Sequence, residues 1–163
     1  MPLKIAAKVD RADRRYFKRE IEPLLNDPHI ELVGEINDKD KDAFLGNAYA
    51  LLFPIDWPEP FGLVMIESMA CGTPVIAYAG GSVEEVMDDG VTGFVVNDID
   101  QAVEAAGCVR DLSRARCREV FENRFTASRM ASDYVNVYTR LADPRMRKVA
   151  QSLESSFRAC QTA

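Results

Sequence analysis

Residues 49–80 read YALLFPIDWPEPFGLVMIESMACGTPVIAYAG. The stretch opens on an apolar run at 49–55 and closes on another at 74–80, each bounded by Pro, Gly or Asp as buried strands are. Between them Leu63, Ile66 and the Met69/Ala70 pair recur at helical spacing, which predicts a helix over 62–71 with those residues facing the core. Strand, helix and strand in this order imply two parallel strands joined by a right-handed crossover.

The same alternation extends to both sides. LKIAAKV (3–9), IELVG (30–34) and GFVVN (93–97) read as further strands, and RRYFKREIEPLL (14–25), KDKDAFLGNA (39–48) and SVEEVMDDG (82–90) as helices between them. The expected fold is therefore α/β: one Rossmann-like parallel sheet with helices on both faces. From Ile99 the pattern becomes helical only, over 98–112, 113–125 and 126–143. The last segment, 144–163, begins at the helix breaker Pro144 and is basic, then amphipathic, suited to docking on a neighbouring surface or to fraying. These boundaries give one domain over 1–141 and a C-terminal helical tail over 142–163.

The 163 residues, 47% apolar and 28% charged, are enough for one soluble domain with its own core. A formal charge of -6 repels polyanions and argues against nucleic acid or an acidic membrane as the main partner, while leaving room for a small anionic ligand held locally. Cys71, Cys108, Cys117 and Cys160 are scattered and a single histidine, His29, accompanies them, so no metal site is expected and the thiols read as reduced, in a cytoplasmic protein. The start of the chain turns charged within a few residues, unlike a signal peptide, and no apolar run reaches the ~18 residues that span a bilayer.

Ligands of open parallel sheets bind beyond the carboxyl ends of strands, where the chain enters the next helix. Residues 59–63 stand at such a place. Pro60 restricts Glu59 to extended geometry, and Gly62 removes a side chain where the helix begins. The first amides, at Phe61, Gly62 and Leu63, have no partner within the helix and, with its dipole, suit a phosphate. Glu67, further along the helix, is an acceptor-only group able to take both hydroxyls of a cis-diol such as ribose; Glu59 can reach a second hydroxylated group. Taken singly, the two glutamates read more readily as an exposed helical residue and a loop charge than as ligands.

The other chemistry-bearing residues have plainer readings. His29 is a loop histidine, and NDKDKDAF (37–44) an acidic helix start rather than a calcium loop. Cys71 is a small packed thiol, and Arg110, Arg114, Arg116 and Arg118 a solvated helical face. Trp57 and Phe61 either line a sugar pocket or pack beside the turn.

EPFGLVMIESMACGTPV (59–75) resembles the donor-site motif of retaining glycosyltransferases of the GT-B fold, family 4-like (group 1), with its two glutamates separated by seven residues and Phe-Gly-Leu between them. The resemblance runs from about Leu3 to Leu141, through IELVGEI (30–36), NAYALLFPI (47–55) and GGSVEEVMDDGVTGFVV (80–96). It implies that Glu67 holds the ribose hydroxyls, and that Glu59, the candidate catalytic residue, holds the transferred sugar. Phe61, Gly62 and Leu63, with Pro60 beside them, would meet the diphosphate, and backbone groups from Gly34 to Ile36 would meet the nucleobase. Lys8, at the end of the first strand, reads either as a surviving phosphate contact or, at least as readily, as a solvated lysine. The implied substrate is a UDP-, GDP- or ADP-sugar, with no cofactor and no metal. Compared with the family, the acceptor-binding N-terminal domain and the first strand and helix of the donor domain are not found, and Glu84 stands where relatives often carry proline. The expected function is thus the donor half of a hexosyltransferase, inactive until an N-terminal domain joins it in cis or in trans, and with peripheral membrane contact left open for the full enzyme. The alternative is a non-catalytic nucleotide-sugar-binding or protein-interaction module; a flavodoxin-like signalling domain is disfavoured by the glutamate pair.

Overall fold

The structure, a computed structural model, describes residues 1–142, and all but the first residue of the tail expected over 142–163 lies outside them. The chain divides into two compact units, Met1–Tyr49 and Ala50–Ala163.

In the first unit β1 (Leu3–Ile5) and β2 (Ile30–Leu32) pair in parallel, Lys4 opposite Glu31, and the two side chains form an ion pair at 3.1 Å. The helix expected over 14–25 follows a helical path but does not stay α. α1 (Arg14–Tyr16) loosens into a π-helical segment (Phe17–Ile21), where the Glu22 N–H donates to the Phe17 carbonyl, and then tightens into a 3-10 segment (Glu22–Asn26). Pro23 is the cause: without an N–H it cannot continue the ladder, so the hydrogen bonds slacken before it and shorten after it. α2 (Asp38–Gly46) starts as its acidic run suggests. Asn37 accepts from the amides of Lys39 and Asp40 at 2.9 and 3.2 Å, and Asp38 and Asp40 occupy the positive end of the helix.

In the second unit β3 (Leu51–Phe53), β4 (Val75–Tyr78) and β5 (Gly93–Val96) form a parallel sheet in that order. α3 (Leu63–Ala70) joins β3 to β4, and the single turn α4 (Val83–Val86) joins β4 to β5. α5 (Ile99–Cys108), α6 (Arg114–Arg124) and α7 (Ala127–Ala142) complete it. Alternate residues of the central strand feed two cores: Val75 and Ala77 pack with Met65, Met69 and Cys117 on one face, and Ile76 with Ala105 and Val109 on the other. Helices therefore cover both faces, as the Rossmann-like α/β class requires. The parallel strands are hydrogen-bonded as a pair and a triplet, not as one five-stranded sheet.

The buried face of α3 differs from the expected one. Met65, Ser68 and Met69 are fully buried, whereas Leu63 is 63% exposed. Residues two apart on a helix point to opposite sides, so once Met65 and Met69 enter the core Leu63 cannot follow them.

Candidate functional site

The loop from β3 to α3 contains Pro54, Pro58 and Pro60, which remove three amide donors and keep the chain from closing into helix before Gly62. Gly62 is the N-cap of α3, in left-handed geometry (φ 71°, ψ 62°). The turn needs glycine for its dihedrals; a Cβ there would also fall 2.6 Å from Met65 Cε and 3.1 Å from Phe53 Cζ, so that the methionine methyl would have to shift. The amides of Leu63 and Val64 follow in the first turn, where a helix offers no carbonyl to receive them.

Glu59, half-buried, is tied at both ends. Its Oε1 accepts from the Gly62 N–H at 3.3 Å and its Oε2 from the Trp57 indole Nε1–H at 3.2 Å. Its main-chain N–H donates to the Trp57 carbonyl at 2.8 Å, and its own carbonyl accepts from the Ser82 N–H at 2.9 Å. The Glu59 carboxylate thus sits at the positive end of α3, where an anion is stabilised. Glu67, also half-buried, lies one turn further along α3 and off the Met65/Met69 face. Pro60, Phe61 and Leu63 are exposed around this helix start, as is Trp57 at 59%. The β3–α3 loop and α3 thereby carry two carboxylates, a set of first-turn amides and an aromatic rim. Carboxylates can accept from hydroxyls, and amides can donate to an anion.

Lys8, Gly34 and Ile36 belong to the first unit. Lys8 follows β1, is exposed and lies 3.8 Å from Asp10; Gly34 and the half-buried Ile36 follow β2. In that unit Lys8 also borders a hollow of about 220 Å³ whose lining includes Ile5, Val9, Tyr16, Phe17 and Leu32.

The sequence reading missed the turn after β4. Ser82 holds the Glu59 carbonyl, and its Oγ is the buried side-chain polar atom without a hydrogen-bond partner among the described residues. The available signal was Gly80-Gly81 directly after a strand, which marks a close backbone approach. The arginines of α6 also differ from a purely solvated face. Arg114 donates to Thr73 Oγ1 at 2.6 Å and Arg118 to the Ala70 carbonyl at the C-terminal end of α3, where cations are stabilised. Arg110 and Arg116 stay at the surface beside Asp111 and Glu119. Cys71 is half-buried; Cys117 is buried, and the loss of water pushes its thiol up to about 11, against a smaller lowering by Arg114. No helix of the described residues is long and apolar enough to cross a membrane.

The family described as Glycosyl transferases group 1 matches residues 5–119. Among curated relatives, an uncharacterised 41.2 kDa protein of the cps region of Klebsiella pneumoniae is 36% identical over 116 residues, covering 68% of this chain and 32% of the relative. A phosphatidyl-myo-inositol mannosyltransferase of Mycobacterium leprae is 30% identical over 141 residues, covering 82% and 37%. The chain therefore spans about a third of the length of the curated relatives it matches. Among solved structures, a sucrose-phosphate synthase of Thermosynechococcus elongatus superposes with a TM-score of 0.71 at 27% identity, over 85% of this chain and 38% of that one. The Anabaena protein HepE, solved with UDP and glucose, superposes at 0.75 with 19% identity over 85% and 40%, a likeness of fold. The family match takes in more than half of the chain, including β2 to β5 and the whole turn and helix that carry Glu59 and Glu67, and so the chain belongs to the group 1 glycosyl transferases.

Proposed function

We propose that this chain is the donor-binding part of a retaining hexosyltransferase that takes its sugar from a nucleoside diphosphate. One observation carries the reading: the N-terminus of α3 is flanked by Glu59 and Glu67, so that anion-binding amides lie between two hydroxyl-binding carboxylates. In this reading the amides of Phe61 to Leu63 receive the diphosphate, Glu67 the ribose diol, and Glu59 the transferred sugar. For Lys8 and for the backbone of Gly34 to Ile36, roles at the phosphate and the nucleobase rest on the family resemblance alone. The mannosyltransferase named among the relatives and the UDP and glucose held by HepE support the same substrate class.

In the free chain the Glu59 carboxylate occupies the helix terminus, donating nothing and accepting the Gly62 N–H. A diphosphate competes with it for that amide, and repulsion between the two anions turns Glu59 outward toward the sugar. Departure of the nucleoside diphosphate is then assisted by fixed amide dipoles with no resident metal, and front-face attack by the acceptor retains the anomeric configuration. The contacts to the acceptor and the opposite wall of the cleft are supplied by a further domain, in cis or in trans.

Calorimetry with UDP, GDP and ADP and their sugars tests the reading. Binding of at least one at a Kd between about 0.1 mM and several mM is expected, and Glu67→Ala weakens it about tenfold or more while the fold stays intact. No binding of any of them at millimolar ligand would sink it.

A further inference from the structure

We propose that Gly81 and Trp57, neither of them part of the paired-glutamate motif, are positioning residues for Glu59, setting where its carboxylate stands at the start of α3. The inference rests on the reading of Glu59 as the residue that meets the donor sugar.

The main chain of Pro58 and Glu59 crosses the turn after β4 at a distance that only glycine permits. A Cβ on Gly81 would lie 2.5 Å from the Glu59 carbonyl oxygen, 2.6 Å from its nitrogen and 3.0 Å from the Pro58 carbonyl carbon. These are main-chain atoms, unable to swing aside as a side chain would. Gly81 also has φ +54°, a second reason for glycine. The next amide, Ser82 N–H, donates to that same Glu59 carbonyl at 2.9 Å, so the turn both makes room for the Glu59 peptide and holds it. On the other side, the Trp57 indole donates to Oε2 at 3.2 Å while Gly62 donates to Oε1 at 3.3 Å. In the free chain one donor on each oxygen sets the plane of the carboxylate; when a diphosphate takes the Gly62 amide, the Trp57 indole remains to hold the side chain, and its backbone position is set separately by Gly81 and Ser82. A reacting or binding group misplaced by about 1 Å can lose up to about a hundredfold in effect, so both contacts govern how well Glu59 meets a sugar without touching it themselves.

The test uses the full 163-residue chain and two kinds of measurement. Without ligand, NMR follows the Gly62 amide and the indole N–H of Trp57, the chain's only tryptophan. Calorimetry then compares UDP with UDP-glucose, GDP with GDP-mannose and ADP with ADP-glucose. Gly81→Ala is expected to move both resonances and to weaken the sugar nucleotide about tenfold more than the bare diphosphate. Gly90→Ala is the control: its φ is +72°, yet no atom lies within 4 Å of its Cβ position, and both resonances should stay where they are. Trp57→Phe changes an exposed side chain and carries the test if Gly81→Ala does not fold; it should move the Gly62 amide and show the same selective loss of sugar nucleotide. The proposal is overturned if the Gly62 amide is unmoved in the folded variants, or if diphosphate and sugar nucleotide weaken equally. Should the unaltered chain bind none of the six ligands, the donor reading fails, and the Gly62 amide still decides whether these residues position Glu59.

Discussion

The Arg114 guanidinium donates to the Thr73 hydroxyl at 2.6 Å across 41 residues of sequence. Thr73 is fully buried, and its carbonyl also accepts from Ser68 Oγ at 2.9 Å and lies 3.7 Å from Cys117 Sγ. Together with Arg118 on the Ala70 carbonyl, this fastens α6 to the far end of the helix whose near end carries Glu59 and Gly62. Arg114→Met keeps the aliphatic stem and removes the charged donor to a buried hydroxyl, and it should lower stability by about 1 to 3 kcal/mol in urea denaturation. Arg116→Met, whose ion pair with Glu119 is exposed, should stay within about 0.5 kcal/mol. Equal effects of the two would show that the Thr73 contact contributes nothing special.

Cys117 links burial to pH. Its thiol is raised from the ordinary 9.0 to about 11 because the thiolate would have to lie out of water. The folded chain therefore keeps a proton that the unfolded chain has already released between those values. The stability this provides is complete below pH 9 and is lost as pH rises toward 11, by an amount of order 2 kcal/mol. Urea melts at pH 8 and pH 10.5 should show a smaller alkaline loss for Cys117→Ala than for the unaltered chain, with titrations of other groups common to both. At pH 8 a thiol reagent should modify the exposed Cys108 quickly and Cys117 only on unfolding.

The parallel strands and the helix that carries Glu67 were legible because their signal is local: β-branched runs bounded by turn residues, and apolar positions at helical spacing. What was not legible depends on contacts between distant residues. Leu63 and Met65 both suit a core-facing position, and only packing against Phe53 and Val75 decides that Met65 takes it. Arg114 and Arg118 alternate with acidic residues like any solvated helix, and their roles appear only once the end of α3 lies beneath them. Pro23 carried a readable warning, and it broke the regular helix where its missing amide fell. Glu59 and Glu67 were legible as a pair through their spacing, whereas the Gly81 and Ser82 contacts join residues more than twenty positions apart.

Transfer should be absent from this chain on its own. The reaction needs an acceptor held within about 3 to 3.5 Å of the donor's anomeric carbon, with water excluded. The matched relatives devote roughly two thirds of their length to residues that have no counterpart here, 32% and 37% of two of them being covered. Incubation with labelled UDP-glucose, GDP-mannose or ADP-glucose and simple sugar acceptors should give no more product than a variant carrying both Glu59→Ala and Glu67→Ala. Product above that level, without an added domain, would refute the reading of the chain as the donor half.

Glu59 should discriminate between a bare diphosphate and a sugar nucleotide in opposite directions. In the free chain its carboxylate accepts the Gly62 N–H and stands where an incoming phosphate would gain from the helix terminus. Glu59→Ala removes a competing anion, so UDP, GDP or ADP should bind as well as before or tighter by about twofold to fivefold. The same change removes a charged acceptor for a sugar hydroxyl, worth about 1.5 to 3 kcal/mol, so the sugar nucleotide should weaken about tenfold or more. Glu59→Gln separates the two effects. It keeps an oxygen for the Gly62 or Trp57 donor but no charge, so it should relieve the repulsion as alanine does and retain part of the sugar binding. Calorimetric titration of the three proteins with diphosphate and with sugar nucleotide reads both quantities directly. If Glu59→Ala weakens the two ligands by the same factor, the residue acts on the helix terminus alone and has no contact with the sugar.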